Sequence, residues 1–490
     1  MNTDLLKKKI LDLAIKGKLV EQRPEEGTAE DLYQQIQEKK TNLIKEGKLK
    51  KEKPLAPIED DEIPFDIPDS WRWVRIGDLY KHNTGKALNS SNIEGKKLPY
   101  ITTSNLYWNR FELNNLKKMF FKESEIEKCS VQKGDLLVCE GGDIGRAAIW
   151  NFDYQVCIQN HIHKLRGYIQ LSTLFYYYIF LYYKLNNSIS GRGIGIQGLS
   201  SNALHNLVVP LPPLAEQKRI VEKIDLLFSR LHTVENGLVE IDKISDLTKK
   251  KILDLAIRGK LVKQRPEECT AEDLYLQIQE EKANLIKEGK LNKEKPLAPI
   301  ENDDIPFDLP ESWKWVRIRD ISLLVTKGTT PRGGNVAYTD KGVGFLRAEN
   351  VNGLTTLNLS NLKFVSEKAH QNELKRSVLE DGDILVTIAG TLGRTAVVQS
   401  TDLPLNANQA ISIVRMIFKS ENMLKYAVFA LNANTIQQIL LRQTKQTAIP
   451  NLTLEIVGNC IIPLPPLAEQ KRIVAKVEEL LALCDKLKLK

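Results

Sequence analysis

Lys9-Ile-Leu-Asp-Leu-Ala-Ile-Lys-Gly-Lys-Leu-Val20 returns as Lys251-Ile-Leu-Asp-Leu-Ala-Ile-Arg-Gly-Lys-Leu-Val262. The repeat runs from 4–79 to 246–321 at a constant offset of 242, with about 61 of 76 positions identical. A second echo has an offset of 253: Pro210-Leu-Pro-Pro-Leu-Ala-Glu-Gln-Lys-Arg-Ile-Val221 returns as Pro463-Leu-Pro-Pro-Leu-Ala-Glu-Gln-Lys-Arg-Ile-Val474. The stretches between the copies barely resemble each other. Two near-identical frames therefore carry two different inserts, as expected for one task performed on two unlike targets.

The 490 residues suffice for several domains with adequate cores. No run of about 18 apolar residues points to a membrane span, and Met1-Asn-Thr-Asp-Leu-Leu-Lys-Lys-Lys lacks an apolar signal core. Six cysteines without a Cys-x-x-Cys spacing fit a reduced, cytoplasmic setting. The net charge of +8 is concentrated in the inserts. Residues 80–209 hold 15 Lys/Arg against 9 Asp/Glu, and residues 322–462 hold 14 against 10. Basic, divergent inserts fit a polyanion, since neutralised phosphates release counterions; solubility is the plainer explanation.

The second echo opens a long helix. Ile220, Ile224, Leu227, Leu231, Val234, Leu238 and Ile241 step 4-3-4-3, a heptad seam that Ile252 and Leu255 resume. A helix from 214 to 257 is about 65 Å long at 1.5 Å per residue. Its partner is split between the chain ends. Ile473, Val477, Leu480, Cys484 and Leu487 fill the same slots at one end, and Leu6, Ile10 and Leu13 at the other. Lys490 aligns with Gly237 and Met1 with Lys243, so the two termini are expected to meet and imitate the central helix. The expectation is an antiparallel two-helix coiled coil with a pseudo-two-fold, circular repeat. Thr28 and Thr270 predict N-caps, with Asp31 and Asp273 three residues on, for short helices over 29–46 and 271–288.

The fold class is α+β. The expected boundaries are a helical region at 1–62, a first insert domain at 63–209, a central helical region at 210–304, a second insert domain at 305–462 and a closing helix at 463–490. Both inserts carry a strand–loop–strand: Lys133-Gly-Asp-Leu-Leu-Val138 with Gly145-Arg-Ala-Ala-Ile149, and Asp381-Gly-Asp-Ile-Leu-Val386 with Gly393-Arg-Thr-Ala-Val397. A polar pair in a strand follows, Gln159-Asn160 and Asn408-Gln409, then a helix over 171–187 and 421–441.

No catalytic signature appears. Ala87 breaks a phosphate loop at Gly85-Lys86, and neither an Asn/Asp-Pro-Pro-aromatic methyltransferase motif nor His-Glu-x-x-His occurs. Cys157, Gln159, His161 and His163 share one strand face, a metal pattern; polar strand residues facing a ligand, or a half-buried strand, explain it better. The counterparts Asn406, Asn408, Ala410 and Ser412 have no metal character. No metal ligands and no catalytic residues are assigned.

Repeated frames, divergent inserts, the Pro-Leu-Pro-Pro-Leu-Ala-Glu-Gln-Lys-Arg-Ile-Val motif and Trp71-Arg-Trp-Val-Arg-Ile76 with Trp313-Lys-Trp-Val-Arg-Ile318 together resemble the specificity (S) subunit of type I restriction–modification systems. The resemblance implies two target-recognition domains, each reading half of a bipartite, asymmetric site in double-stranded DNA. It implies a coiled coil that fixes the spacer and docks two methyltransferase (M) subunits, with restriction (R) subunits completing the complex. It implies that this chain is no enzyme, and that S-adenosylmethionine, ATP and Mg2+ belong to the partners. A scaffold whose inserts bind two different proteins is the alternative.

Base reading needs Arg/Lys for guanine and Asn/Gln for adenine. The first insert offers Thr84, Lys86, Ser104, Asn105, Tyr107, Asn109, Arg110, Arg146, Gln159, Asn160, His161, Arg192 and Gln197. The second offers Lys327, Thr329, Thr330, Arg332, Arg347, Glu349, Asn350, Asn352, Arg394, Asn408, Gln409, Lys445, Gln446 and Asn451. Arg146 and Arg394 recur in both inserts, which suits holding structure or gripping phosphate.

Overall fold

A computed structural model of the chain describes residues 2–51, 53–88, 93–189, 199–293, 297–332, 338–442, 444 and 451–487. The chain divides into two compact units, Met1–Asn236 and Gly237–Lys490. No helix among the described residues is long and apolar enough to cross a membrane.

The two units share one strand topology. In the first, Arg72–Arg75 pairs antiparallel with Val208–Leu211, closing the insert where it begins and ends. A four-stranded antiparallel sheet then orders Tyr80–Thr84, Ile162–Gly167, Leu136–Cys139 and Ala147–Ile149. A three-stranded sheet orders Lys118–Phe121, Lys96–Ile101 and Cys157–Ile158, the last pair parallel. The second unit repeats each step: Lys314–Arg317 with Ile461–Leu464; then Ser322–Lys327, Ile411–Met416, Ile384–Thr387 and Thr395–Val397; then Lys363–Val365, Val343–Leu346 and Leu405–Ala407.

Side-chain alternation along the strands builds the layers. Leu136, Val138 and Leu165 face a core shared with the helix Thr173–Leu185 and the frame helices. Leu137, Cys139, Ala148 and Ile162 face the three-stranded sheet. In the second unit Ile384, Val386 and Val414 take the first side and Leu385, Ala396 and Ile413 the second. The Gly-Asp dipeptides fix the turn before the third strand. Asp135 accepts the Gln132 N–H at 2.8 Å and a two-pronged pair from Arg166 at 2.7 and 2.6 Å. Asp383 does the same with Glu380 and Arg415.

The frame locks onto each insert through the repeated motif. Glu216 is buried and accepts from the Trp71 indole at 2.9 Å and the Gln22 amide at 2.6 Å. Arg219 grips Glu26 through two hydrogen bonds of 2.7 and 2.6 Å. Glu469, Trp313, Gln264, Arg472 and Glu268 reproduce the arrangement. Gly17 and Gly259 end the helical run with φ of 67° and 65°; a Cβ there would strike Pro68 or Pro310. The short helices are Ala29–Lys45 and Ala271–Lys287, each with the expected Thr–Asp capping box.

Two expectations change, and a third holds in part. The long helix is Leu214–Ile257. Its heptad seam is buried at Ile220, Ile224 and Ile252 and half-buried at Leu227, Leu231, Leu238 and Leu255. Val234 and Ile241 are instead 42% and 38% exposed. Polar groups serve near them: Glu235 pairs with Lys7 at 2.8 Å, and Ser245, in the same heptad register, is buried and donates to the Cys484 carbonyl at 3.1 Å. The second insert helix is two, Glu421–Asn432 and Asn434–Arg442, because Ala433 is extended and Asp254 accepts the Thr435 N–H. The polar pairs do not lie within strands; they form turns.

Candidate nucleic-acid interface

The turns place the polar pairs where loops converge. The Ile162 N–H donates to the Gln159 carbonyl at 3.0 Å, so Asn160 and His161 occupy the turn's two central positions. The Ile411 N–H donates to the Asn408 carbonyl at 3.1 Å, placing Gln409 and Ala410 alike. Both turns are pinned against a glycine. A Cβ on Gly85 would sit 2.1 Å from the Ile158 carbonyl oxygen, and one on Gly328 would sit 2.0 Å from that of Asn408. Gly85 is thus the structural counterpart of Gly328, a match that the sequence around it does not mark.

Matching backbone bonds tie in the other loops. Glu140 N–H donates to the His161 carbonyl and Leu199 N–H to that of Glu140. Ile388 N–H donates to the Ala410 carbonyl and Leu452 N–H to that of Ile388. Asn105 folds the next loop, accepting from Thr102 N–H at 3.0 Å and donating to the Glu112 carbonyl at 3.1 Å. Asn350 does so with Arg347 and Asn358, at 2.8 and 2.9 Å. Hairpins follow in both units, Leu106–Tyr107 with Arg110–Phe111 and Val351–Gly353 with Thr356–Leu357. Asn109 and Leu354 take positive φ at their tips, 46° and 52°.

On this shared backbone the side chains differ. In the first unit Tyr107 is exposed between two guanidinium groups, Arg110 at 4.8 Å and Arg146 at 5.3 Å from the ring centre. Arg146 also donates to the Thr103 carbonyl at 2.6 Å. Exposed His161 lies 3.5 Å from the Glu140 carboxylate. In the second unit Asn352 stands where Tyr107 does, and Ala410 with Ile388 replace His161 with Glu140. Arg394 is exposed and, among the described residues, forms no ion pair.

The remaining candidates divide by burial. Lys86 is held by the Glu125 carboxylate at 2.6 Å and the Phe120 carbonyl at 2.9 Å, beside the Phe121 ring. Gln159 is buried and Thr84 half-buried. Ser104 is exposed, its hydroxyl 2.7 Å from that of Thr102. Lys327, Gln409 and Asn451 are exposed; Thr329, Thr330 and Asn408 are half-buried. Arg347 pairs with exposed Glu349, and the backbone N–H of exposed Arg332 donates to Glu373. Arg192, Gln197, Lys445 and Gln446 lie outside the described residues.

The metal-like strand face does not converge. Cys157 is fully buried beside Tyr100 and Phe121, and burial pushes its thiol up to about 12. The turn swings His161 outward. His163 points into the unit, 2.6 Å from the Leu199 carbonyl and 2.9 Å from His82. Burial, with His163 and His205 nearby, pushes His82 down to about 3. Sequence reasoning missed this histidine cluster, because its members are far apart in the chain, His82 and His163 by 81 residues. Among the described residues, no group of three or more His, Cys, Asp or Glu could hold a metal ion.

Known proteins match this chain over nearly its whole length. A family model described as the type I restriction modification DNA specificity domain matches residues 68–241 and 310–489. The type I restriction enzyme EcoEI specificity subunit of Escherichia coli is 28% identical, spanning 99% of this chain and 90% of its own. The EcoAI specificity subunit of the same organism is 26% identical over the same shares. Among solved structures, the HsdS subunit from Thermoanaerobacter tengcongensis has a TM-score of 0.52 at 20% identity, covering 87% of this chain and 92% of its own. A chain from work on complex assembly and conformational transition of the type I R-M system has a TM-score of 0.57 at 19% identity, covering 87% and 93%.

Proposed function

Since the chain belongs to the type I restriction modification DNA specificity family, we propose that its two inserts each read one half of a bipartite, asymmetric DNA site. The chain is a non-catalytic specificity subunit, and its family speaks against the scaffold reading. The observation that carries the proposal is the matched pair of loop clusters. One backbone network presents Tyr107, Asn160 and His161 in the first unit and Asn352, Gln409 and Ala410 in the second. Equal frameworks with unequal exposed chemistry are what two unequal half-sites need. Arg110, Arg146, Arg347 and Arg394 supply guanidinium groups for guanine edges or phosphates, and Asn160, Asn352 and Gln409 amides for adenine. Lys86, Asn105, Gln159 and Asn350 serve chiefly by shaping the loops.

In this reading the divisions are 1–62, 63–209, 210–304, 305–462 and 463–490, with the second and fourth as target-recognition domains. The helical segments form an antiparallel coiled coil of pseudo-two-fold symmetry that fixes the spacer. Within the first unit, Lys7 pairs with Glu235, whereas Gln22 and Glu26, beyond the N-terminal helix, reach Glu216 and Arg219 near the start of the long helix, which supports antiparallel pairing. In the second, Ser245 meets Cys484 while Gln264 and Glu268 reach Glu469 and Arg472. Two M subunits and the R subunits join it in the cytoplasm, bringing S-adenosylmethionine, ATP and Mg2+. Methylome sequencing of cells expressing this chain with its M subunit tests the proposal: a bipartite site is expected, and a continuous site counts against it.

A further inference from the structure

Each unit carries a groove built from the repeated frame, about 640 Å³ in the first and 1080 Å³ in the second. One wall is the short helix, presenting Tyr33, Gln37, Lys40 and Ile44, or Tyr275, Gln279, Lys282 and Ile286. The floor includes Trp73 or Trp315. The opposite wall is Leu55-Ala-Pro-Ile58 or Leu297-Ala-Pro-Ile300. Arg75 holds that wall open, donating to the Ala56 and Pro57 carbonyls at 2.9 and 2.8 Å. Arg317 donates to the Pro299 carbonyl at 3.2 Å. Lys40 and Lys282 tie the helix to the floor through the carbonyls of Gly77 and Arg319.

Aromatic rings, a proline wall and a half-exposed isoleucine suit an extended peptide with an apolar anchor. The charge on the lining is positive. In the first groove Arg72 and Arg75 pair with Glu30 and Glu62, which leaves Lys40, Lys51 and Lys53 against Asp78. In the second Lys314 pairs with Glu272, and Lys282, Lys293, Arg317 and Arg319 outnumber Asp308, Glu311 and Asp320. Lys51 and Lys293 are exposed at the rim and, among the described residues, form no ion pair.

The two short helices differ at three positions: Gln34/Leu276, Lys39/Glu281 and Thr41/Ala283. The first two lie off the groove and change polarity or charge. The third lines it and stays small. The inserts have diverged while both grooves kept one chemistry, which fits one ligand bound twice.

We propose that each groove seats the same acidic, apolar-anchored peptide segment of the M subunit, so that two copies dock at equivalent places on one chain. This rests on the specificity-subunit reading. Neither Ile44 nor Ile286 belongs to a buried core cluster, so both tolerate charge. The full chain is co-expressed with its M subunit and weighed by native mass spectrometry. Ile44→Glu with Lys51→Glu is expected to remove one M subunit, as is Ile286→Glu with Lys293→Glu. All four together should weaken both by ten-fold or more, with the chain's own melting unchanged. A photoreactive residue at position 41 or 283 of the otherwise native chain should crosslink to an acidic segment of the M subunit. Two M subunits held at native affinity by the four-fold variant overturn the proposal, as does crosslinking to a segment that is not acidic. A native chain that binds no M subunit overturns the partner reading itself, which separates the two failures.

Discussion

The Trp71 indole donates to Glu216 over 2.9 Å, although 145 residues separate them, and the whole first insert lies between. Trp313 and Glu469 reproduce the bond, again at 2.9 Å, around the second insert. The repeated motifs at either end of each insert are thus two halves of one latch. Burial raises the carboxyl of both Glu216 and Glu469, and the indole and the Gln22 or Gln264 amide stabilise the charged form against it.

Glu216→Ala leaves the Trp71 N–H and the Gln22 amide without their acceptor. Losing a buried, charge-assisted acceptor costs about 2 to 3 kcal/mol. Denaturant unfolding of the full chain should show that loss in the transition of the first unit, with Glu469→Ala acting on the second. Glu216→Gln, which keeps an acceptor oxygen, should cost less.

The first unit should be the acid-sensitive one. An unfolded histidine titrates near 6.5, whereas folded His82 is held near 3 by burial among His163, His205 and Lys128. Below pH 6.5 the unfolded chain takes up a proton that the folded chain refuses, so stability falls as pH drops from about 6.5 towards 3. The loss is about 2 to 3 kcal/mol by pH 4.5, at about 1.4 kcal/mol per pH unit. Val325 and Ser412 occupy the matching places in the second unit. His82→Val should flatten the pH dependence of melting; an unchanged slope would refute this account.

Gly85→Ala and Gly328→Ala should each disable one recognition loop. The added methyl meets main-chain carbonyls rather than yielding side chains, and overpacking of that kind costs about 1 to 3 kcal/mol. Binding of the assembled complex should weaken for both variants. Each should lose discrimination in a different half-site.

In the proposed reading, exposed Tyr107 and half-buried Asn160 read bases, and exposed Arg394 grips phosphate. Tyr107→Ala and Asn160→Ala should relax specificity in one half-site, by about 1 to 3 kcal/mol for each base edge no longer read. Arg394→Ala should weaken all sequences alike and lower the salt slope of binding by about 1. Titrations on cognate and mismatched duplexes at several salt concentrations separate the two.

The frame is legible in the sequence because repeats report on themselves. The capping boxes and the strand–loop–strand segments stand where pattern places them. The register of the long helix is legible towards both its ends, and buried Ser245 keeps it; the exposure of Val234 and Ile241 is not legible, because an apolar pattern does not score the Lys7–Glu235 pair beside them. The turns at Gln159 and Asn408 are hidden, since alternation continues across them into the next sheet and imitates one strand. Lys86 and Asn105 are legible as candidates by residue type, but their loop-shaping bonds are not. Their partners Glu125 and Glu112 become neighbours only in three dimensions.

One exchange addresses the central claim directly. Residues 80–209 are replaced by the first insert of another specificity subunit, and the methylome of cells carrying the hybrid with its M subunit is sequenced. The account predicts that one half of the bipartite site changes while the other half and the spacer stay. An unchanged site, or one altered in both halves, would contradict it.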